Sequence, residues 1–202
     1  MPEQEVHQTI KALLTSARPD ELHRGLKLLG EELDRAGHAD AAPLFELVSA
    51  LFYIDALDRP ELAPVLDEAV NVAVRFGPSF LPVLLSKLED GDLKAQLVIS
   101  HALGRMGADA VEPLMEAYEA STDVGRRCFL LYALGKIKSP EVGKAIPLAL
   151  EAAASPDTEL RDTGTRAIGK LAETVPPERI PEALRLELVE KLRANLASTN
   201  AV

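Results

Sequence analysis

The 202-residue sequence predicts an all-α chain, a stacked array of paired helices of the α-solenoid kind with about 11 helices. Three observations predict it. Hydrophobic residues make up 47% of the chain but aromatics only 4%, with no Trp, so Leu and Ala supply the core, and both favour helices packed through small and medium side chains. Three 15-residue segments align without gaps: Leu93–Gly107, Val124–Lys138 and Thr158–Ala172. Upstream of each, a proline (Pro82, Pro113, Pro147) stands 23 positions before the basic residue Arg105, Lys136 or Lys170.

Within the aligned segments the columns are specific. Ala102, Ala133 and Ala167 share one, followed by Leu103, Leu134 and Ile168, then Gly104, Gly135 and Gly169, the basic residues, and Met106, Ile137 and Leu171. In the first segment Ala95, Val98, Ile99, Ala102, Leu103 and Met106 fall on one face at helical period. Each proline precedes a shorter apolar run, so each unit reads as two helices joined by a polar turn. Asp92, Asp123 and Asp157 end those turns, where a carboxylate accepts from the free amides of the next helix. The glycine column signals either a neighbouring helix too close for a Cβ or a softened last turn. The basic column, with Arg35 and Arg75 upstream, reads as cations at helix C-termini or as an anion-binding stripe.

The first 77 residues match more weakly. Arg35-Ala36-Gly37 and Arg75-Phe76-Gly77 echo Arg105-Met106-Gly107, and helices are expected near 3–17, 20–36, 41–57 and 60–76. About nine extra residues lie around Tyr53–Glu61, judged by the repeat length seen downstream. Residues 178–197 read as a closing helix, with Leu184, Leu188 and Leu192 packing on the helices of 140–172. The expected organisation is a single domain over 1–202: divergent helical repeats in 1–77, three clear repeats in 78–174 and a capping helix in 175–202.

A proline in the first helix, an Asp in the turn and a second helix running V-R-x-x-A-x-x-A-L-G-x-I resemble the HEAT-repeat family, closest to the bacterial HEAT-like repeats of phycobilisome bilin lyases and of uncharacterised HEAT-repeat proteins. The resemblance covers residues 78–174 and implies a right-handed solenoid. The position where such repeats carry Arg holds Gln96, Arg127 and Arg161, so the Arg–Asp ladder the resemblance implies is incomplete at Gln96.

The net charge of −10 argues against a nucleic-acid partner, and no apolar stretch reaches membrane-spanning length. The lone Cys128 has no internal disulfide partner, and a cytoplasmic protein is the expectation. His7, His23, His38 and His101 show no metal-ligand spacing, and no phosphate-binding loop or nucleophile elbow occurs. No catalytic residue, cofactor or metal is therefore expected, and Cys128 reads as a packing residue before a nucleophile.

The resemblance implies that second helices line a concave, partner-binding surface. Residues three and seven places before the glycine column then form two rows: His101, Tyr132 and Arg166, and Leu97, Cys128 and Asp162. Extending the register backwards adds Asn71 and Asp67. Asp162 and Arg166 also have the spacing of a helix-stabilising ion pair. The leading expectation is a scaffold or adaptor that binds a protein or peptide. The alternatives are a lyase-like accessory protein handling a small molecule or cofactor, and a nucleic-acid-binding protein of the alkylation-repair kind. A rival binding site is the Tyr53–Glu61 insertion.

Overall fold

A computed structural model describes residues 3–36, 41–88 and 92–199. The fold is all-helical, 82% helix, with no strand among the described residues. Among the described residues there are eleven α-helices: α1 (Glu3–Leu14), α2 (Pro19–Ala36), α3 (Ala42–Ala50), α4 (Ala63–Val74), α5 (Leu81–Lys87), α6 (Leu93–Arg105), α7 (Val111–Ala120), α8 (Val124–Leu134), α9 (Ile146–Ala153), α10 (Thr158–Thr174) and α11 (Glu182–Thr199). Each odd-numbered helix from α1 to α9 packs on the even-numbered helix that follows it, and the even helices pack in sequence, α2 on α4, α4 on α6, α6 on α8 and α8 on α10.

The recurring residues have local reasons. Pro43, Pro64, Pro82 and Pro147 occupy the first turns of α3, α4, α5 and α9, where no intrahelical amide bond is lost and the fixed φ suits the helix. Asp92, Asp123 and Asp157 are N-caps in extended backbone, accepting from the amides of Ala95, Arg126 and Leu160 at 2.8, 2.7 and 3.0 Å. Gly77 and Gly107 follow helix ends with φ of 79° and 73°, a left-handed conformation that a Cβ would strain. Gly37 lies outside the described residues.

The Gln96, Arg127 and Arg161 column ties each second helix to the end of the first helix of its own unit. Gln96 Nε2 donates to the Leu88 carbonyl at 2.7 Å, Arg127 Nε to Tyr118 at 3.4 Å, and Arg161 Nη1 to Ser155 at 3.2 Å. The acceptors are carbonyls at or just past the end of the first helix, and the turn Asp residues are occupied as caps. A glutamine amide donates as well as a guanidinium, so the tie is unbroken at Gln96.

Two expected helices are interrupted. The helix near 41–57 ends at Ala50 and continues as a 3-10 turn, Leu51–Tyr53; the one near 60–76 opens with another, Pro60–Leu62. Pro60 and Pro64 lack the amides a continuous helix would use. Between the turns the inserted stretch is pinned at two points. Arg59 Nη2 donates to the Ala17 carbonyl at 2.9 Å, and Lys94 of α6 pairs with Asp55. That hydrogen bond, joined by the Leu57 amide, holds the Asp55 carboxyl below its usual range.

The core runs from Val6 to Leu188 as one cluster. Leu103, Leu134, Ile168 and Ile137 are fully buried, and Phe45, Phe76 and Phe80 stack with centroids 4.7–5.1 Å apart where α3, α4 and α5 meet. No single helix is long and apolar enough to cross a membrane; the short apolar segments Pro60–Val74 and Pro78–Lys87 meet at 104° and bury Val65, Val70, Leu81 and Leu84.

Helix α11 lies against α9 and α10, with Leu188 buried and Leu184 and Leu192 half-buried against the core. Asn195 Nδ2 donates to the Ala153 carbonyl at 3.3 Å and to Thr165 Oγ1 at 2.6 Å. Removing residues 177–202 is expected to uncover the apolar edge of α9 and α10 and to drive self-association, read by light scattering. A truncated chain that stays monomeric with unchanged melting would show that α11 adds nothing to the fold.

Candidate functional site

The candidate residues stand on successive even helices: Asp67 and Asn71 on α4, Leu97 and His101 on α6, Tyr132 on α8, and Asp162 and Arg166 on α10. Asp67, Asn71, Leu97, His101, Asp162 and Arg166 are exposed, and Tyr132 is half-buried. Cys128 departs from the expectation. It is buried, 7% exposed, because α10 packs over this part of α8 and Thr163 hydrogen-bonds the thiol. Burial pushes the thiol above its ordinary value and the Thr163 bond offsets part of the rise, so it is not a poised nucleophile. No ion pair joins Asp162 to Arg166 among the described residues.

The basic column stitches the even helices together. Arg75 Nη2 reaches back to α2, donating to the Gly30 carbonyl at 2.8 Å and to Asp34. Arg105 reaches back to α4, donating to Asn71 Oδ1 at 2.8 Å and to Asp67 Oδ1. Lys136 crosses to α6, where a Cβ on Gly104 would stand 2.4 Å from its own Cβ; a Cβ on Gly135 would meet the Lys170 stem at 3.4 Å. At Gly104 the glycine thus makes room for the basic side chain of the next unit, whereas the distance at Gly135 is an ordinary van der Waals contact. A Cβ on Gly169 would meet nothing within 4 Å. Close approach explains the glycine at Gly104, while Gly169 owes nothing to it.

At the α6–α8 seam, His101 Nε2 and the Tyr132 hydroxyl share a hydrogen bond of 3.1 Å, their rings 5.9 Å apart. Lys136 Nζ lies 4.6 Å above the Tyr132 ring, a cation–π contact. Desolvation holds the His101 imidazole below its usual value, and the charges of Lys136 and Arg105 outweigh the opposing pull of Asp67, so the ring is neutral at neutral pH.

The chain matches no protein-family model, and no curated protein matches it.

The register reasoning missed Lys136 and Arg105 as members of this surface. Each stands four residues after a row member, Tyr132 or His101, and that one-turn spacing is the signal for them. Asp67 and Asn71 are engaged by Arg105, so they brace the surface before they meet any ligand. Two open clefts lie away from it. One of about 410 Å³ is lined by Arg127, Glu151, Ser155 and Leu160, and one of about 220 Å³ by His7, Lys11, Pro43 and Leu47. Among the described residues no group of three or more His, Cys, Asp or Glu is placed to hold a metal ion.

Proposed function

We propose that the chain is a HEAT-like α-solenoid acting as a non-catalytic scaffold, which binds a protein or peptide segment along the face of its even helices. One observation carries the reading. The strip from Asn71 through Arg105 and His101 to Tyr132 and Lys136 is bonded across α4, α6 and α8, with Arg166 on the next even helix, and those bonds fix side chains that combine apolar area with directed polar groups. Tyr and Arg are enriched among residues that dominate binding energy, and side chains held before binding lose little entropy on it.

The triple variant H101A/Y132A/R166A tests it. None of the three is buried, so circular dichroism and melting should match the wild type. Capture of the native partner from host extract should fall by about thirtyfold, the equivalent of about 2 kcal/mol for one lost anchor. Undiminished capture would remove this face from the proposal. A second reading then takes over, because Leu57, 88% exposed at the tip of the pinned insertion, is presented to solvent with little freedom.

A further inference from the structure

We infer that the partner segment is acidic and carries an apolar anchor, its carboxylates meeting Lys136 and Arg166 and its apolar side chain meeting Leu93 and Leu97. The inference rests on the scaffold reading and adds the chemistry of the partner. Three observations support it.

The first is charge. The chain holds 32 acidic against 22 basic residues, yet the middle of this face runs the other way. Arg105 is balanced by Asp67, and Lys170 by Glu173 at 2.9 Å. Lys136 and Arg166 form no ion pair among the described residues, and Lys136 is aimed by its contact with the Tyr132 ring. Asp162, also unpaired, stands one turn before Arg166 on α10, which leaves Lys136 and Arg166 an excess of one positive charge over it. A partner carboxylate supplies the counter-charge the protein lacks there.

The second is the local field. Desolvation is the main cause that lowers the proton affinity of His101; among the charges, Lys136 and Arg105 act in the same direction and Asp67 against them, so the charge around the ring is positive on balance.

The third is the apolar step beside the charges. Leu93 and Leu97 are 62% and 40% exposed, one turn apart on α6, and His101 follows one turn later on the same face. From an anchor there, a carboxylate at Lys136 lies about one helix spacing away, roughly 10 Å, and one at Arg166 about two, roughly 20 Å, which an extended chain spans in about three and about six residues. Nucleic acid would bring the negative charge but no aliphatic group for the leucines.

The test uses the full chain and labelled synthetic peptides of equal length, measured by fluorescence anisotropy. One is Glu-rich with two leucines, one Lys-rich with the same leucines, one Glu-rich with glycines instead, and one uncharged with the leucines; single-stranded DNA is a fifth probe. The Glu-rich leucine peptide should bind tightest, weaken as salt is raised, and lose about tenfold in affinity for K136E and again for R166E. Both variants lie on exposed or half-buried positions, and circular dichroism checks their fold. No binding by that peptide, or binding equal to that of the Lys-rich one, overturns the inference. If another peptide binds instead and H101A/Y132A/R166A abolishes it, the acidic chemistry is wrong and the scaffold reading stands. If the Glu-rich peptide binds but neither the charge reversals nor the triple variant weakens it, both fail. Tighter binding of DNA with the same sensitivity to K136E and R166E would make the face a nucleic-acid surface and overturn the inference.

Discussion

Leu134→Ala is expected to destabilise the protein by about 2–5 kcal/mol in chemical denaturation. Leu134 is the last residue of α8, fully buried and in the column shared with Leu103 and Ile168, so truncation leaves a cavity where α8 meets its neighbours. The position is also central. Helix α8 packs on α6, α7 and α10, so weakening it loosens a main link between the N-terminal and C-terminal halves, beside the packing of α7 on α5 and on the 3-10 turn Pro140–Ala145. The unfolding curve should therefore broaden or split in two as well as shift. Leu97→Ala is the matched control: the residue is 40% exposed on α6 and its truncation should change stability by less than about 0.5 kcal/mol. A Leu134→Ala protein as stable as that control would mean the buried column carries no packing energy.

Gly164→Ala and Gly169→Ala, five residues apart in α10, are expected to act in opposite directions. A Cβ on Gly164 would stand 2.4 Å from the Ala153 amide nitrogen and 2.7 Å from the Ala152 carbonyl carbon, so it meets the backbone of α9. A backbone yields only if the whole helix moves. The expected loss is about 1–3 kcal/mol even after the better helix propensity of alanine is counted. A Cβ on Gly169 meets nothing within 4 Å, so the same change there should raise stability by about 0.5–1 kcal/mol. Thermal melting of the two single variants checks both signs at once. Two losses of equal size would mean that helix–helix spacing does not distinguish the two positions.

That pair marks the limit of what the sequence makes legible. The caps at Asp92, Asp123 and Asp157 and the core columns at Leu103, Leu134 and Ile168 follow from spacing alone, because each depends on residues within one or two turns. Gly164 and Gly169 look alike in the sequence and differ only in what a distant helix places beside them. Cys128 is misplaced for the same reason: its own helix puts it in an outward row, and α10 then covers it through Thr163. The candidate face was legible as a set of positions, His101, Tyr132 and Arg166 among them. The bonds from Arg105 to Asp67 and Asn71 were not, since they join residues 38 and 34 apart whose facing depends on how α4 and α6 cross.

The seam of glycine and basic side chain has a consequence for how such a chain comes to be. The slot and the side chain that meets the preceding slot are adjacent residues in two places, Gly135-Lys136 and Gly169-Lys170. An interface between two unrelated surfaces must be invented twice, once on each side. Here a single tandem duplication carries both halves together, and the newborn copy arrives already fitted to its parent. Drift can then act on the outward positions, His101, Tyr132 and Arg166, without loosening the joint. Gly169, whose slot stays vacant, shows that the column keeps a glycine where no neighbouring side chain requires one.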